Sequence, residues 1–209
     1  MENEDVMCDG EIELSDRAKS LWGKTNRVDD TEWLPLYEHM ADSAAMAVRI
    51  WDTWVPYGTK SIISRDLGND DDLARKLMIF LAGVHDIGKA TPVFQAKPIS
   101  FGPDAESLAW KPEQAGLPMI AGLRDTSHPT HPIAGQVILE RYFSLVHKWG
   151  KRESRQYACV VGGHHGTPPD KSKLESARLG KTESGLDSEV WMTTQNELIE
   201  FIAGTVGIG

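Results

Sequence analysis

The sequence predicts an all-α fold. Apolar residues recur at spacings of three and four along most of the chain, convincing alternating stretches are absent, and the apolar runs are bounded by helix-start and helix-stop residues. The first helix is expected from Pro35 to Val55, with Leu36, Met40, Ala44, Ala47, Trp51 and Trp54 as one stripe. Pro35 suits a first-turn position, and Pro56, Tyr57 and Gly58 stop the helix. A second begins near Asp70-Asp71-Asp72, whose charge favours the positive end of a helix dipole. Its stripe is Leu73, Leu77, Met78, Leu81, Val84 and His85, and Gly88 is the expected C-terminal stop. From Gln95 to Pro132 the prolines Pro98, Pro103, Pro112, Pro118, Pro129 and Pro132 predict a long proline-rich loop, with short helical turns at most. Pro132 opens a third helix carrying Ala134, Ile138, Tyr142, Leu145 and Trp149 on one side. A fourth, from Glu153 to His165, lines up Tyr157, Val160, Val161 and His164 and ends at Gly166 and Pro168-Pro169. A charged helix is expected around Lys171 to Lys181. The last helix, Ser188 to Ala203, turns Trp191, Leu198 and Ile202 inward.

The 209 residues suffice for one sizeable core. We divide them into an acidic N-terminal tail, residues 1–20, and one domain, residues 21–209. No apolar run approaches the roughly 20 residues of a membrane span, and the acidic N-terminus lacks the basic and apolar regions of a signal peptide. Cys8 and Cys159 make no disulfide framework, so a cytoplasmic location is expected. The formal net charge of -9 argues against a domain that grips nucleic acid through its own field. An acidic chain handling phosphate must recruit positive charge, from bound divalent metal or a basic partner.

Five of the seven histidines sit where helices start or stop, or face an apolar stripe. His85 follows Leu77 and Leu81 on the core face, and Asp86 comes next. A buried imidazole beside a buried carboxylate is costly unless paired or bound to metal. An isolated His-Asp pair would read as a satisfied core histidine. His39 on the first helix, His131 before Pro132, and His164-His165 at the end of the fourth helix change that balance. Imidazole and carboxylate together suit Zn, Fe, Ni, Co or Mn, and a shared carboxylate can bridge two ions. Gly162 and Gly163 would let another helix approach closely. Gly23-Lys24-Thr25 is not a P-loop, since Ala18 stands where glycine is required and no apolar strand precedes it. His147 reads as solvated surface. Trp110, in the proline-rich loop, is the tryptophan best suited to stack on a base.

The stretch His85-Asp86-Ile87-Gly88-Lys89-Ala90, with His39 upstream and Gly163-His164-His165-Gly166 downstream, resembles the HD phosphohydrolase superfamily. LWGKT, HMADSAAMAVRIW, LAGVHDIGKATPVFQ, HPIAGQVIL and GGHHGTPP, in that order between Leu21 and Pro169, resemble the HD nuclease domain of the CRISPR type I effector nuclease-helicase. The resemblance implies a helical bundle holding one or two divalent transition metals, with Mg also possible, and cleavage of single-stranded DNA by hydroxide attack on the phosphodiester. One metal would be held by His39, His85 and Asp86. The second would be held by Asp86 as bridge with His131, His164 and His165. His131 is preferred to His128 for its H-x-x-A-G context, although loop length before it varies. Asp86 and Lys89 are the candidate catalytic residues. Lys89 either reaches a phosphate oxygen or complements the helix dipole. The resemblance also implies a further aspartate on the first metal, from a later helix. The apolar finish Thr205 to Gly209 is expected to be a cut made before that helix, and Asp187 lies in the wrong surroundings to replace it.

The implied partners are single-stranded DNA, a helicase domain fused or separate, and an RNA-guided CRISPR surveillance complex. No membrane partner and no ATP site are expected. The competing readings are an HD phosphohydrolase acting on a nucleotide and a non-catalytic docking domain.

Overall fold

The computed structural model describes residues 13–26, 32–98, 106–121, 123 and 126–208. Short helix α1 (Asp16–Ser20) leads into a hairpin of β1 (Trp22–Thr25) and β2 (Trp33–Pro35). Then come α2 (Leu36–Thr53), α3 (Tyr57–Asp66), α4 (Asp71–Gly83), a 3-10 turn over Ile87–Lys89, and the single turn α5 (Pro92–Gln95). The remaining helices are α6 (Trp110–Gln114), α7 (His131–Leu145), α8 (Lys151–Gly162), α9 (Lys171–Leu179) and α10 (Glu189–Val206). The fold is a mostly helical bundle with a small two-stranded hairpin, its helical character as expected from the spacing of apolar residues. No helix among the described residues is long and apolar enough to cross a membrane.

Helix starts follow local chemistry. Ser15, Asp70, Thr91, Asp170 and Ser188 each accept a hydrogen bond from a backbone N–H in the first turn that follows. Helix α7 is the axis of the bundle, with Pro132 through Leu139 all buried. It packs on α8 and on the 3-10 turn, while α2 packs on α4 and α10 closes over both. Leu36, Met40, Phe80, Leu81, Val84, Ile87, Ile138, Tyr142, Trp191, Leu198 and Ile202 form the shared core.

Several expectations need correction. The hairpin escaped notice because strands of four and three residues are too short to display a period of two. Pro56 does end α2, but it is also the extended N-cap of α3, a helix in a stretch that the sequence reading left unassigned. Helix α4 stops at Gly83 rather than Gly88, so His85 and Asp86 lie in a turn beyond it. Likewise α8 stops at Gly162, leaving His164 and His165 in the following turn. Trp54 is 82% exposed because it caps α2 outside the helical stripe. Leu73 and Leu145, in the first and last turns of their helices, are exposed as well. Helix α8 buries Ser154, Ala158 and Val161, which turns Val160 to solvent. Trp149 lies past α7 and is half-exposed, stacked on Phe143 with ring centroids 4.6 Å apart. His147 is exposed but partnered, its Nε2 3.1 Å from the Tyr142 hydroxyl. Part of the expected proline-rich loop (99–105, 122, 124–125) and of the acidic tail (1–12) lies outside the described residues. What is described of the loop contains α6 and an isolated bridge between Pro98 and Ser107.

Gly88 is where backbone meets backbone. A Cβ there would fall on the His131 carbonyl oxygen and within 2.5 Å of the Gly135 amide nitrogen. We expect Gly88→Ala to destabilise the domain by about 3 kcal/mol, the upper range for overpacking. Chemical denaturation against the unsubstituted chain measures it, and an unchanged midpoint would contradict the packing.

Candidate metal centre

The candidate ligands reach one point from several elements. His39 projects from the first turns of α2, and His85 and Asp86 from the turn after α4. His131 is the first residue of α7, and His164 and His165 follow α8. Asp86 has φ -101° and ψ 14°, the sparsely populated bridge region common among active-site residues. Buried side chains hold this turn in place. The Gln195 amide donates to the Ala90 carbonyl at 2.9 Å, and the Gln95 amide donates to the Lys89 carbonyl at 2.9 Å and the Trp22 carbonyl at 3.0 Å.

Asp86 is 4% exposed and sits at the focus. Its Oδ2 is 2.7 Å from His39 Nε2, 3.2 Å from His85 Nε2 and 2.8 Å from Lys89 Nζ. Its Oδ1 faces His131 Nε2 at 3.2 Å and His164 Nε2 at 3.5 Å. Neither Oδ1 nor His164 Nε2 makes a properly directed hydrogen bond, although both are buried. Such orphaned atoms are rare in native interiors and call for an explanation such as an ion. His85 Nδ1 donates to the Ala82 carbonyl at 2.8 Å and His164 Nδ1 to the Val161 carbonyl at 2.6 Å. These bonds place the ring proton on Nδ1 and leave the Nε2 lone pair for the centre, the usual arrangement of a metal-ligating imidazole.

Two groups have ligand atoms within 4.8 Å of one another: His39, His85 and Asp86, and His131, His164 and His165. His165 is exposed and His39 is buried, so the second group lies nearer solvent. His128 stands apart, hydrogen-bonded to Ser127 in a groove lined by Ile133, Lys173 and Ala177. Asp187 also lies elsewhere, accepting from the Thr182 hydroxyl at 2.6 Å. Lys89 is buried, and its ammonium donates to the Gly23 carbonyl at 2.7 Å as well as reaching Asp86. The helix-dipole reading of Lys89 therefore fails, because its charge points at the carboxylate. Gln95 and Gln195 were missed in the sequence, where a glutamine bonded to a remote carbonyl leaves no pattern. Gly23 enters the sequence reading in the rejected P-loop, and its packing role shows in the structure alone. A Cβ there would lie 3.1 Å from Leu36 Cα and 3.2 Å from His39 Cβ, so glycine lets the hairpin approach α2 and reach Lys89.

Burial opposes ionisation of Asp86, yet the facing rings of His131, His164, His39 and His85 hold its carboxyl far below the usual range. The two rings at Oδ1 shift in opposite directions. Burial presses His131 below the ordinary imidazole value despite Asp86. At His164 burial acts the same way, but Asp86 and the Val161 carbonyl outweigh it and raise the value.

The family model for the Cas3 HD domain matches residues 22–209. The chain belongs to the Cas3 HD family. It is 36% identical over 154 residues to the CRISPR-associated nuclease/helicase Cas3 of Streptococcus thermophilus, covering 70% of this chain and 16% of that protein. It is 29% identical over 199 residues to the CRISPR-associated endonuclease/helicase Cas3 of Thermus thermophilus, covering 94% of this chain and 19% of that protein. The chain thus spans under a fifth of the length of these Cas3 relatives. A crystal structure of a CRISPR-associated protein aligns with 91% of this chain and 20% of its own, at a TM-score of 0.77 and 30% identity. The Thermus thermophilus Cas3 HD domain, crystallised in the presence of Ni2+, aligns at a TM-score of 0.62 over 93% of this chain and 67% of that one. At 24% identity that likeness speaks for the fold.

The donor set of this HD domain fits a divalent transition metal, with imidazole nitrogens and one carboxylate directed at a shared point. Protons compete with metal for those nitrogens. Because His164 is raised, it is expected to take a proton before His131 as pH falls. Ni2+ affinity should accordingly begin to fall above roughly pH 6.5, the ordinary imidazole value, as His164 takes its proton, and drop about tenfold or more per unit below it. Calorimetric titration across that range measures the slope, and a flat profile would argue against imidazole ligation.

Proposed function

We propose that this chain is a metal-dependent nuclease domain that hydrolyses phosphodiester bonds in single-stranded DNA. The supporting observation is Asp86, buried and facing imidazole nitrogens with both oxygens, while Oδ1 and His164 Nε2 make no directed hydrogen bond. In this reading His39, His85 and Asp86 would hold one divalent metal, and His131, His164 and His165, with Asp86 shared, would hold a second. Fe, Ni, Co, Mn or Zn suits such donors, with Mg less favoured by so many nitrogens. Bound metal supplies a water acidified toward neutrality and positive charge against the phosphate.

The chain's own residues do the remaining work. Asp86 aligns the rings of His39 and His85, and the Ala82 and Val161 carbonyls fix the tautomers of His85 and His164. Lys89 keeps Asp86 ionised and anchors it to the Gly23 carbonyl. With its ammonium so engaged, Lys89 acts as a positioning residue, and we favour this over direct contact with phosphate. The exposed His165 marks the side from which a flexible single strand can enter. The Cas3 relatives are named as nuclease/helicases. We accordingly assign unwinding to a helicase domain outside these residues, and delivery of the strand to an RNA-guided CRISPR surveillance complex.

Incubation with circular single-stranded DNA and Mn2+ or Ni2+ tests the reading, since only endonucleolytic cutting opens a circle. We expect the wild-type chain to cut. Asp86→Ala and His164→Ala should each slow cutting by at least about a hundredfold, the loss that changes behind a metal ligand can already reach. Equal cutting by wild type and Asp86→Ala would remove this centre from the reaction.

A further inference from the structure

Beside the metal centre the molecule carries aromatic rings and cations that the chemistry above does not use. The Phe94 ring lies 5.8 Å from that of His131, and Phe94 packs with Trp22 and Leu108, with Trp33 against them. Lys97 Nζ sits 4.8 Å over Phe94. Farther out, Lys111 Nζ lies over two indoles at once, 4.1 Å from the Trp33 centroid and 4.8 Å from that of Trp110. Trp110 is 50% exposed. A chain of contacts thus runs from a candidate metal ligand through the buried Phe94 ring to Lys97 and, by way of Trp33, to Lys111 and the exposed Trp110.

Two features point to a ligand. Lys97 forms no ion pair with a carboxylate among the described residues, and its surroundings disfavour the charge through burial and the neighbouring Lys89. A phosphate would relieve that cost. Trp110 leaves half its surface in water although a large indole is among the side chains best served by burial. An exposed indole (Trp110) and a partly buried one (Trp33), interleaved with ammonium groups, match the needs of a single-stranded polynucleotide, whose bases stack while its phosphates pair with cations. A duplex offers phosphates but hides its base faces. Lys24 extends the positive charge along the open groove beside Trp33. Glu32 in that groove accepts a 2.8 Å hydrogen bond from the Asn26 amide.

We infer that Trp33, Lys97, Trp110 and Lys111 form a binding platform for single-stranded DNA, which takes bases on the indoles and phosphates on the lysines and leads the strand to the metal centre. This platform rests on the nuclease reading for its substrate, but its own test is binding without metal.

Fluorescein-labelled dT12 is titrated with the chain in EDTA, followed by anisotropy at several salt concentrations. Trp110→Ala should weaken binding about fivefold or more, as expected for one lost base stack. Trp110→Phe, which keeps an aromatic face, should restore most of it. The pair Lys97→Ala and Lys111→Ala should flatten the salt dependence by about 0.7 in log–log slope for each lysine that meets a phosphate. If that double variant loses its melting transition, Lys111→Ala alone carries the measurement. Trp110→Ala and the lysine variant binding as tightly as wild type would overturn the platform, even if wild type cuts circular DNA. A wild type that binds dT12 through these residues but leaves circular DNA intact would instead overturn the nuclease reading and keep the platform.

Discussion

A single buried carboxylate organises this molecule. Asp86 is almost fully removed from water, and an ionised group so placed is tolerated only with close compensation. Compensation comes from His39 on α2, His85 and Lys89 on its own turn, His131 on α7 and His164 after α8. Each partner belongs to an element whose apolar face also builds the core, so placing the charge and packing the bundle are one problem. The N-terminal hairpin joins in through the Gly23 carbonyl, which accepts from Lys89. Loss of the carboxylate would leave clustered imidazoles and a buried ammonium with no counter-charge.

The turn that carries Asp86 needs close backbone contact, and that need explains residues with no chemistry of their own. Gly88 lets the 3-10 turn lie directly on the start of α7, which brings His131 up to Oδ1. The Gln95 and Gln195 amides satisfy carbonyls of the same segment, which a short irregular turn cannot pair internally. Trp22 N–H donates back to the Gln95 side-chain oxygen at 3.1 Å, tying the hairpin to the motif. The His-Asp motif is thus the visible part of a buried polar scaffold that fixes backbone first and side chains second.

What could be read in the sequence follows from these physical origins. The helices α2, α4, α7, α8 and α10 were legible because burial on one face imposes a period of three to four. The histidines were legible because imidazoles at helix ends, on apolar faces, have few structural uses. The hairpin was invisible because its strands are too short to show alternation, and α3 because only Ser64 of its ten residues is buried. Gln95, Gln195 and the role of Gly23 depend on carbonyls far away in the chain, and no local pattern announces them. His85 and Asp86 were placed in the right neighbourhood for an incomplete reason. Helical spacing put them on α4, whereas the turn beyond Gly83 aims them at the centre.

The remaining tension is electrostatic. A net charge of -9 repels a polyanion at long range, and the candidate centre places a further carboxylate where phosphate would have to come. Screening by salt confines that repulsion to about 8 Å under physiological conditions, so the problem is local and local charge can solve it. At the centre the imidazoles already favour the ionised form of Asp86, Lys89 pairs with it at 2.8 Å, and a divalent ion there would reverse the sign seen by a phosphate. On the approach, Lys97 and Lys111 stand beside aromatic faces, where stacking gives a short-range attraction that net charge does not weaken. In the proposed reading, an acidic domain built this way would favour strands that expose both bases and phosphates.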